Sequence, residues 1–208
     1  MTSYAPTKIE KTKILFVEGK DEENFFRALG VGNDIQIIDV GGKDSFRTKF
    51  SLYYKNSDGL NIATHIGFVR DAEQTPAQFA FNNICNVLRA NRLPCPQSLT
   101  NNINKNNKPY VGIFIMPDNN GIGMLENLCL AAINNYPIRI SIDNYINDVK
   151  IQLGSNVAQL NEPKARVQTY LASRIPLRQR LGEGALSGHF NFSDPCFNKI
   201  KNFLTLLF

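Results

Sequence analysis

Three carboxylates in this chain each stand at the end of an apolar run. Glu18 follows Ile14, Leu15, Phe16 and Val17; Asp71 closes the run at residues 65–70; Asp118 follows residues 110–116 and Pro117. A carboxylate is costly to bury unpaired, so each of these positions invites a cation. Glu73 lies two residues beyond Asp71. Side chains at i and i+2 of an extended chain share a face, so Asp71 and Glu73 can point together. Carboxylates paired in this way suit Mg²⁺ or Mn²⁺, hard ions that take oxygen ligands and keep several waters.

The elements that must position these groups follow from the same stretches. Each run is short, rich in strand formers and ended by glycine, acid or proline, which predicts buried β-strands. Asp21, Glu22 and Glu23 then open a helix with Phe25, Phe26 and Leu29 on its buried side. Residues 34–40 predict a second strand ending at Gly41-Gly42, and a helix follows from Asp44 with Phe46 and Phe50 on one face. Helices over 76–90 and 124–135 follow the later strands, while the asparagine-rich stretch at 101–107 reads as an exposed loop. This alternation predicts an α/β fold, Rossmann-like, with a mostly parallel sheet covered on both faces. Right-handed crossovers would place Glu18, Asp71 and Asp118 on one edge, where open α/β sheets bind ligands. Residues 137–208 are more helical, with segments at 141–151 and 164–174 and a last helix begun by Ser193-Asp194-Pro195. That helix carries Phe197, Ile200, Leu204 and Leu207 and is expected to pack on the domain, so the chain reads as one domain over 1–208.

Each candidate also has a plainer reading. Glu18 could cap the next helix or pair with Lys20. Asp71 and Glu73 could begin the helix near Pro76, and Asp118-Asn119-Asn120-Gly121 is an ordinary turn sequence. Gly41-Gly42-Lys43-Asp44-Ser45 resembles a phosphate loop only superficially, because Ile37 and Asp44 occupy its glycine and hydroxyl positions. Lys43 could nonetheless bind a phosphate oxygen over the same edge. Lys164, Arg166, Arg174, Arg178 and Arg180 make the C-terminal third basic. They form either a solvated face or a strip contacting nucleic-acid phosphates, with Lys164 stabilising charge at a scissile phosphate. Gly182-Glu183-Gly184-Ala185 reads as a loop.

Composition narrows the field modestly. At 208 residues, 43% hydrophobic and 20% charged, the chain suits a globular domain, and a net charge of +5 slightly favours a polyanionic partner. No apolar run is long enough for a transmembrane helix, and residues 1–13 lack a secretory core, so a cytoplasmic location is expected. Cys85, Cys95, Cys129 and Cys196 show no metal-type spacing and read as buried free thiols.

Glu18, Gly19 and Asp21 at the end of the first strand, with Asp71-x-Glu73 at the end of a later one, resemble the TOPRIM superfamily, whose pattern is a strand ending in Glu-Gly with an aspartate shortly after it, followed by a later strand ending in Asp-x-Asp. Glu73 departs from that pattern by one methylene. The resemblance covers residues 12 to about 135, leaving 136–208 as a helical extension. The chain is also similar, over nearly its whole length, to a TOPRIM-related group of bacterial proteins in which Pro117–Glu126 and 182–185 have counterparts. The resemblance implies metal-assisted phosphoryl transfer on DNA or RNA, most simply as a nuclease, with work in phage defence beside an ATPase partner. Asp71, Glu73 and Asp118 would hold Mg²⁺ or Mn²⁺, and Glu18, Lys43 and Lys164 would serve catalysis. Arg174, Arg178 and Arg180 would contact the nucleic acid. A catalytically silent module bound to such a partner is the alternative.

Overall fold

The computed structural model describes residues 8–56 and 58–208, with the side chains of residues 43–45, 54–56 and 58–59 outside the description. The chain alternates β1 (Lys13–Val17), α1 (Lys20–Ala28), β2 (Ile35–Asp39), α2 (Lys43–Asn56), β3 (His65–Asp71) and α3 (Ala77–Ala90). It continues through β4 (Ile103–Asn104), β5 (Tyr110–Met116) and α4 (Leu125–Ala132). The strands order as β2-β1-β3-β5-β4, parallel except for β4. The expected α/β architecture is therefore the observed one.

Every central strand is apolar on both faces because both faces are covered. Ile14 and Phe16 point into one core, where Phe46 and Phe50 of α2 and Phe81 and Ile84 of α3 meet them. Leu15 and Val17 point into the other, against Phe25 and Phe26 of α1. The C-terminal helices α5 (Ile138–Leu153), α6 (Glu162–Ala172), α7 (Leu181–Leu186) and α8 (Asn198–Leu207) join this second core. Among them α8 lies directly on the sheet. A Cβ on Gly112 would come within 2.8 Å of both Leu207 and Phe203, so the missing side chain is what allows the approach. The last helix packs on the domain, as its apolar spacing predicts, with Phe203 buried alongside Ile200 and Leu207.

Three expectations need correction. The asparagine-rich segment contains the short edge strand β4, whose Asn104 and Ile103 pair with Val111 and Gly112. The 182–185 stretch is helical, because its two glycines let α7 press against neighbours that a side chain would strike. A Cβ on Gly182 would lie 2.5 Å from the Asp21 carbonyl oxygen. Cys85 and Cys95 form a disulfide, leaving Cys129 and Cys196 as free thiols. The chain leaving α3 folds back to bring the two α-carbons within 5.7 Å, a proximity that sequence spacing does not reveal. Purified protein, denatured without reductant, is expected to show two titratable thiols, and four would mean the bond is absent. No helix among the described residues is long and apolar enough to cross a membrane.

Candidate active site at the sheet switch point

The strand order reverses between β1 and β3: the chain moves outward from β1 to β2 and then back across to β3 and β5. In open α/β sheets the crevice at this reversal, beyond the carboxyl ends of the strands, is where ligands bind. Glu18 leaves β1 here, and Arg70 and Asp71 end β3 beside it.

The cation that Glu18 meets is internal. Arg70 Nε donates to Glu18 Oε1 at 2.9 Å, with the two side chains only 7% and 15% exposed. The guanidinium also lies 5.4 Å from the centre of the Phe46 ring, which holds it in place from the α2 side. The sequence reading missed Arg70, although a lone arginine inside an otherwise apolar strand was a usable signal.

Asp71 is held differently. Its Oδ1 accepts the N–H of Leu125, the first residue of α4, at 3.0 Å. Burial drives its pKa well above the ordinary carboxylate value, and Glu18, Glu22 and Glu126 push it further in the same direction. Glu22 is raised to about 7 by burial, against the pull of its backbone hydrogen bond, with Glu18, Asp21 and Glu126 each adding a smaller push upward. Glu126 is raised too, by burial before all else and also by Asp21, while Lys164 opposes the shift. These acids converge because α1 and α4 both begin at this edge, Glu22 in the first turn of one and Glu126 in the first turn of the other. A carboxylate at a helix N-terminus is ordinarily favoured in its charged form. Here desolvation and like charge outweigh that preference.

The other expected site residues divide. Lys164, in the first turn of α6, brings its ammonium to 4.0 Å from Glu126 and stays 61% exposed, so it does stand at the acidic edge. Glu73 does not project as the i+2 partner of Asp71. The strand ends at Asp71, and Glu73 adopts φ +56° in a two-way backbone pairing with Gly123, so the extended-chain argument fails there. Both side chains still line one cleft of about 750 Å³ between α2 and α3. Asp118 is used as a turn and ion-pair residue: its Oδ1 accepts from Asn120 N–H and its Oδ2 from Lys199 at 2.9 Å. Lys43 opens α2 on the same edge, but its side chain lies outside the described residues.

The basic C-terminal third is not one strip. Arg166 is tied to Glu162 and Asp143, bracing α6 against α5. Arg174 stacks over Tyr170 and has its Nε buried without a hydrogen-bond partner, and Arg178 donates to Ser187 Oγ at 2.8 Å. Arg180 is exposed at the start of α7, two residues before Gly182, whose N–H donates to Asp21 Oδ1 at 3.0 Å. Lys164 thus stands at the acidic edge, and the backbone two residues beyond Arg180 bonds to Asp21 in the first turn of α1. Asp21, part of the motif that resembles TOPRIM, gives one of its oxygens to the start of α7.

No group of three or more His, Cys, Asp or Glu among the described residues is arranged to hold a metal ion. The donor chemistry is nevertheless that of a hard cation, since Glu22, Asp71 and Glu126 all offer carboxylate oxygens, and the like charge among them is what a divalent ion would relieve.

Residues 12–208 match the family model described as Protein of unknown function (DUF3226). No curated protein and no solved structure matches the chain.

Proposed function

Because the chain belongs to the family described as Protein of unknown function (DUF3226), its chemistry must be read from its site, and we propose that it is a TOPRIM-like, Mg²⁺- or Mn²⁺-dependent phosphoryl-transfer domain, most simply a nuclease acting on DNA or RNA. One observation carries this reading: Asp71 at the sheet switch point is bonded to the start of α4, and Glu22 and Glu126 stand in the first turns of the two helices that begin at that edge. Burial is the largest cause of the raised pKa values of these three acids, and the like-charge part of the shifts is what a hard divalent cation would relieve.

Asp71 and Glu22 would hold the ion, with Glu73 on the cleft side. When bound it supplies charge neutralisation at a phosphate and a more acidic water. The chain's own residues do the rest. Glu18, fixed in orientation by Arg70, accepts a proton through the oxygen that Arg70 Nε leaves free. Lys164 holds an exposed ammonium beside the cluster and offsets charge that develops on the phosphate. Arg180 contacts a neighbouring phosphate, and Lys43 does so from the first turn of α2. We place the protein in the cytoplasm, in phage defence, working beside an ATPase.

A second reading has its own support. Glu18 and Asp118 are already committed to internal ion pairs, and Glu73 replaces aspartate in a non-extended backbone. Both features suit a silent TOPRIM-like module that binds nucleic acid or a partner protein.

Cleavage of single- and double-stranded DNA, RNA and tRNA with and without Mg²⁺ separates the two. Asp71→Asn keeps the acceptor for Leu125 N–H, so the fold is expected to survive while cleavage falls by ~10²-fold or more, the scale of losing one group that stabilises the transition state. Full activity in that variant would overturn the assignment of Asp71, and no cleavage of any substrate by the wild type would favour the silent module.

A further inference from the structure

The cleft of about 750 Å³ between α2 and α3 opens directly onto the end of β3, and Arg70, Asp71 and Glu73 form its floor. Its volume lies in the range that holds a small-molecule ligand, roughly 300–1,000 Å³. One wall is a single face of α3: Phe79, Asn83, Asn86 and Ala90 recur at helical spacing and all are exposed. Phe79 is 62% exposed, a large aromatic face left open to solvent beside a cleft. The opposite wall comes from α2, with Arg47 exposed and Ser51 one turn further along.

The chemistry of these walls is selective. Carboxamides carry both donors and acceptors and can pair with the edge of a heteroaromatic base. An exposed phenylalanine ring offers a stacking surface that accepts any base. Arg47 supplies positive charge to the cleft, and among the described lining residues the carboxylates are Asp71 and Glu73 at the floor. A purely apolar ligand would leave the amides unpaired, and a polyanion without a ring would leave Phe79 unused.

We propose that this cleft binds one nucleotide of a single-stranded nucleic acid, its base stacked on Phe79 and its edge read by Asn83 and Asn86. Its phosphate then faces Asp71. The direction of the strand rests on the phosphoryl-transfer reading, whereas occupancy of the cleft by a base does not. Duplex substrates enter only where a nucleotide is unpaired or extruded, because a stacked base cannot reach between the two helices.

The test reads binding, so it can fail independently of cleavage. Titrating the wild-type chain with the four ribonucleoside monophosphates in EDTA, with ribose 5-phosphate as the baseless probe, is expected to show nucleotide binding and much weaker binding of the sugar phosphate. Phe79→Ala is expected to weaken nucleotide binding by roughly 5- to 150-fold, the range for losing one stacked base, and to leave ribose 5-phosphate binding unchanged. Asn86→Ala is expected to alter the ranking of the four bases. Both positions are exposed, so circular dichroism and melting should match the wild type. Equal binding of ribose 5-phosphate and nucleotides, unaltered affinity in Phe79→Ala, or no nucleotide binding at millimolar concentration would each overturn the proposal. Binding with this pattern in a protein that cleaves nothing would sustain the cleft assignment and remove the nuclease reading instead.

Discussion

Replacing Arg70 with methionine is expected to lower the stability of the fold by about 3–5 kcal/mol, the cost of breaking a buried pair from one side. Methionine keeps an apolar stem against Phe46 while removing the guanidinium that pairs with Glu18. The stranded carboxylate would then sit beside Asp71 and Glu22, which already repel it. For a chain of this length the loss corresponds to a fall in Tm of roughly 10 °C. Pairing the change with Glu18→Leu is expected to restore much of the stability, since replacing both partners of a buried ion pair by apolar groups is often near neutral. Denaturant unfolding of the two single variants and the double variant measures the coupling. A loss below ~1 kcal/mol for Arg70→Met would mean that the pair behaves as a surface contact and that Glu18 is well solvated. The same reasoning bears on mutagenesis of the site: Glu18→Ala strands a buried guanidinium, so lost activity in that variant reports folding as well as catalysis, whereas Asp71→Asn does not share this ambiguity.

In metal-free buffer the protein is expected to lose stability as pH rises from 5 to 8. Folding moves Glu22 from an ordinary 4.5 up to about 7, so between those values the folded protein binds more protons than the unfolded chain. The contribution is fully present below the lower value and is lost as pH climbs through the upper one. Its full span is worth on the order of 3 kcal/mol. Asp71 and Glu126 are raised as well and act with the same sign. His65, which burial lowers, works in the opposite direction at the lower end of the window. The carboxylates that are lowered, such as Asp34 and Glu162, take effect only in more acid solution. Urea unfolding in EDTA across this range reads the slope, and Glu22→Gln is expected to flatten it. Millimolar Mg²⁺ is expected to recover stability at pH 8 and to do little at pH 5, where protons occupy the same groups. A flat profile in EDTA would show the carboxylates to be solvated, and a Mg²⁺ effect independent of pH would place the ion elsewhere.

Much of the architecture is local in origin, and that is why it can be read in one dimension. The runs ending at Val17, Asp71 and Met116 combine strand-forming residues with abrupt stops, so these strands follow from the chain itself. Apolar spacing likewise marks the buried faces of α1, α3 and α8. The placement of Glu18 and Asp71 at one edge needs only parallel pairing and right-handed crossovers. The sequence by itself therefore determined the class of fold, and it placed Glu18 and Asp71 at one edge of the sheet.

Tertiary structure decided which groups act on one another, because charge pairing and desolvation depend on distances across the fold and have no period along the chain. Arg70 reaches Glu18 across a separation of 52 residues, Asp71 binds the start of α4 across 54, and Asp21 receives an amide of α7 across 161. Glu22 and Glu126 look like ordinary first-turn acids of two helices, and burial in the folded chain, with Asp21 adding like charge to both, makes protons costly to remove from them. Asp118, similar to Asp71 in its sequence setting, is claimed instead by Lys199 of α8, a helix 81 residues away. The pleat and the cap are written in neighbouring residues, whereas the electrostatics of the site come from the solvent that packing excludes.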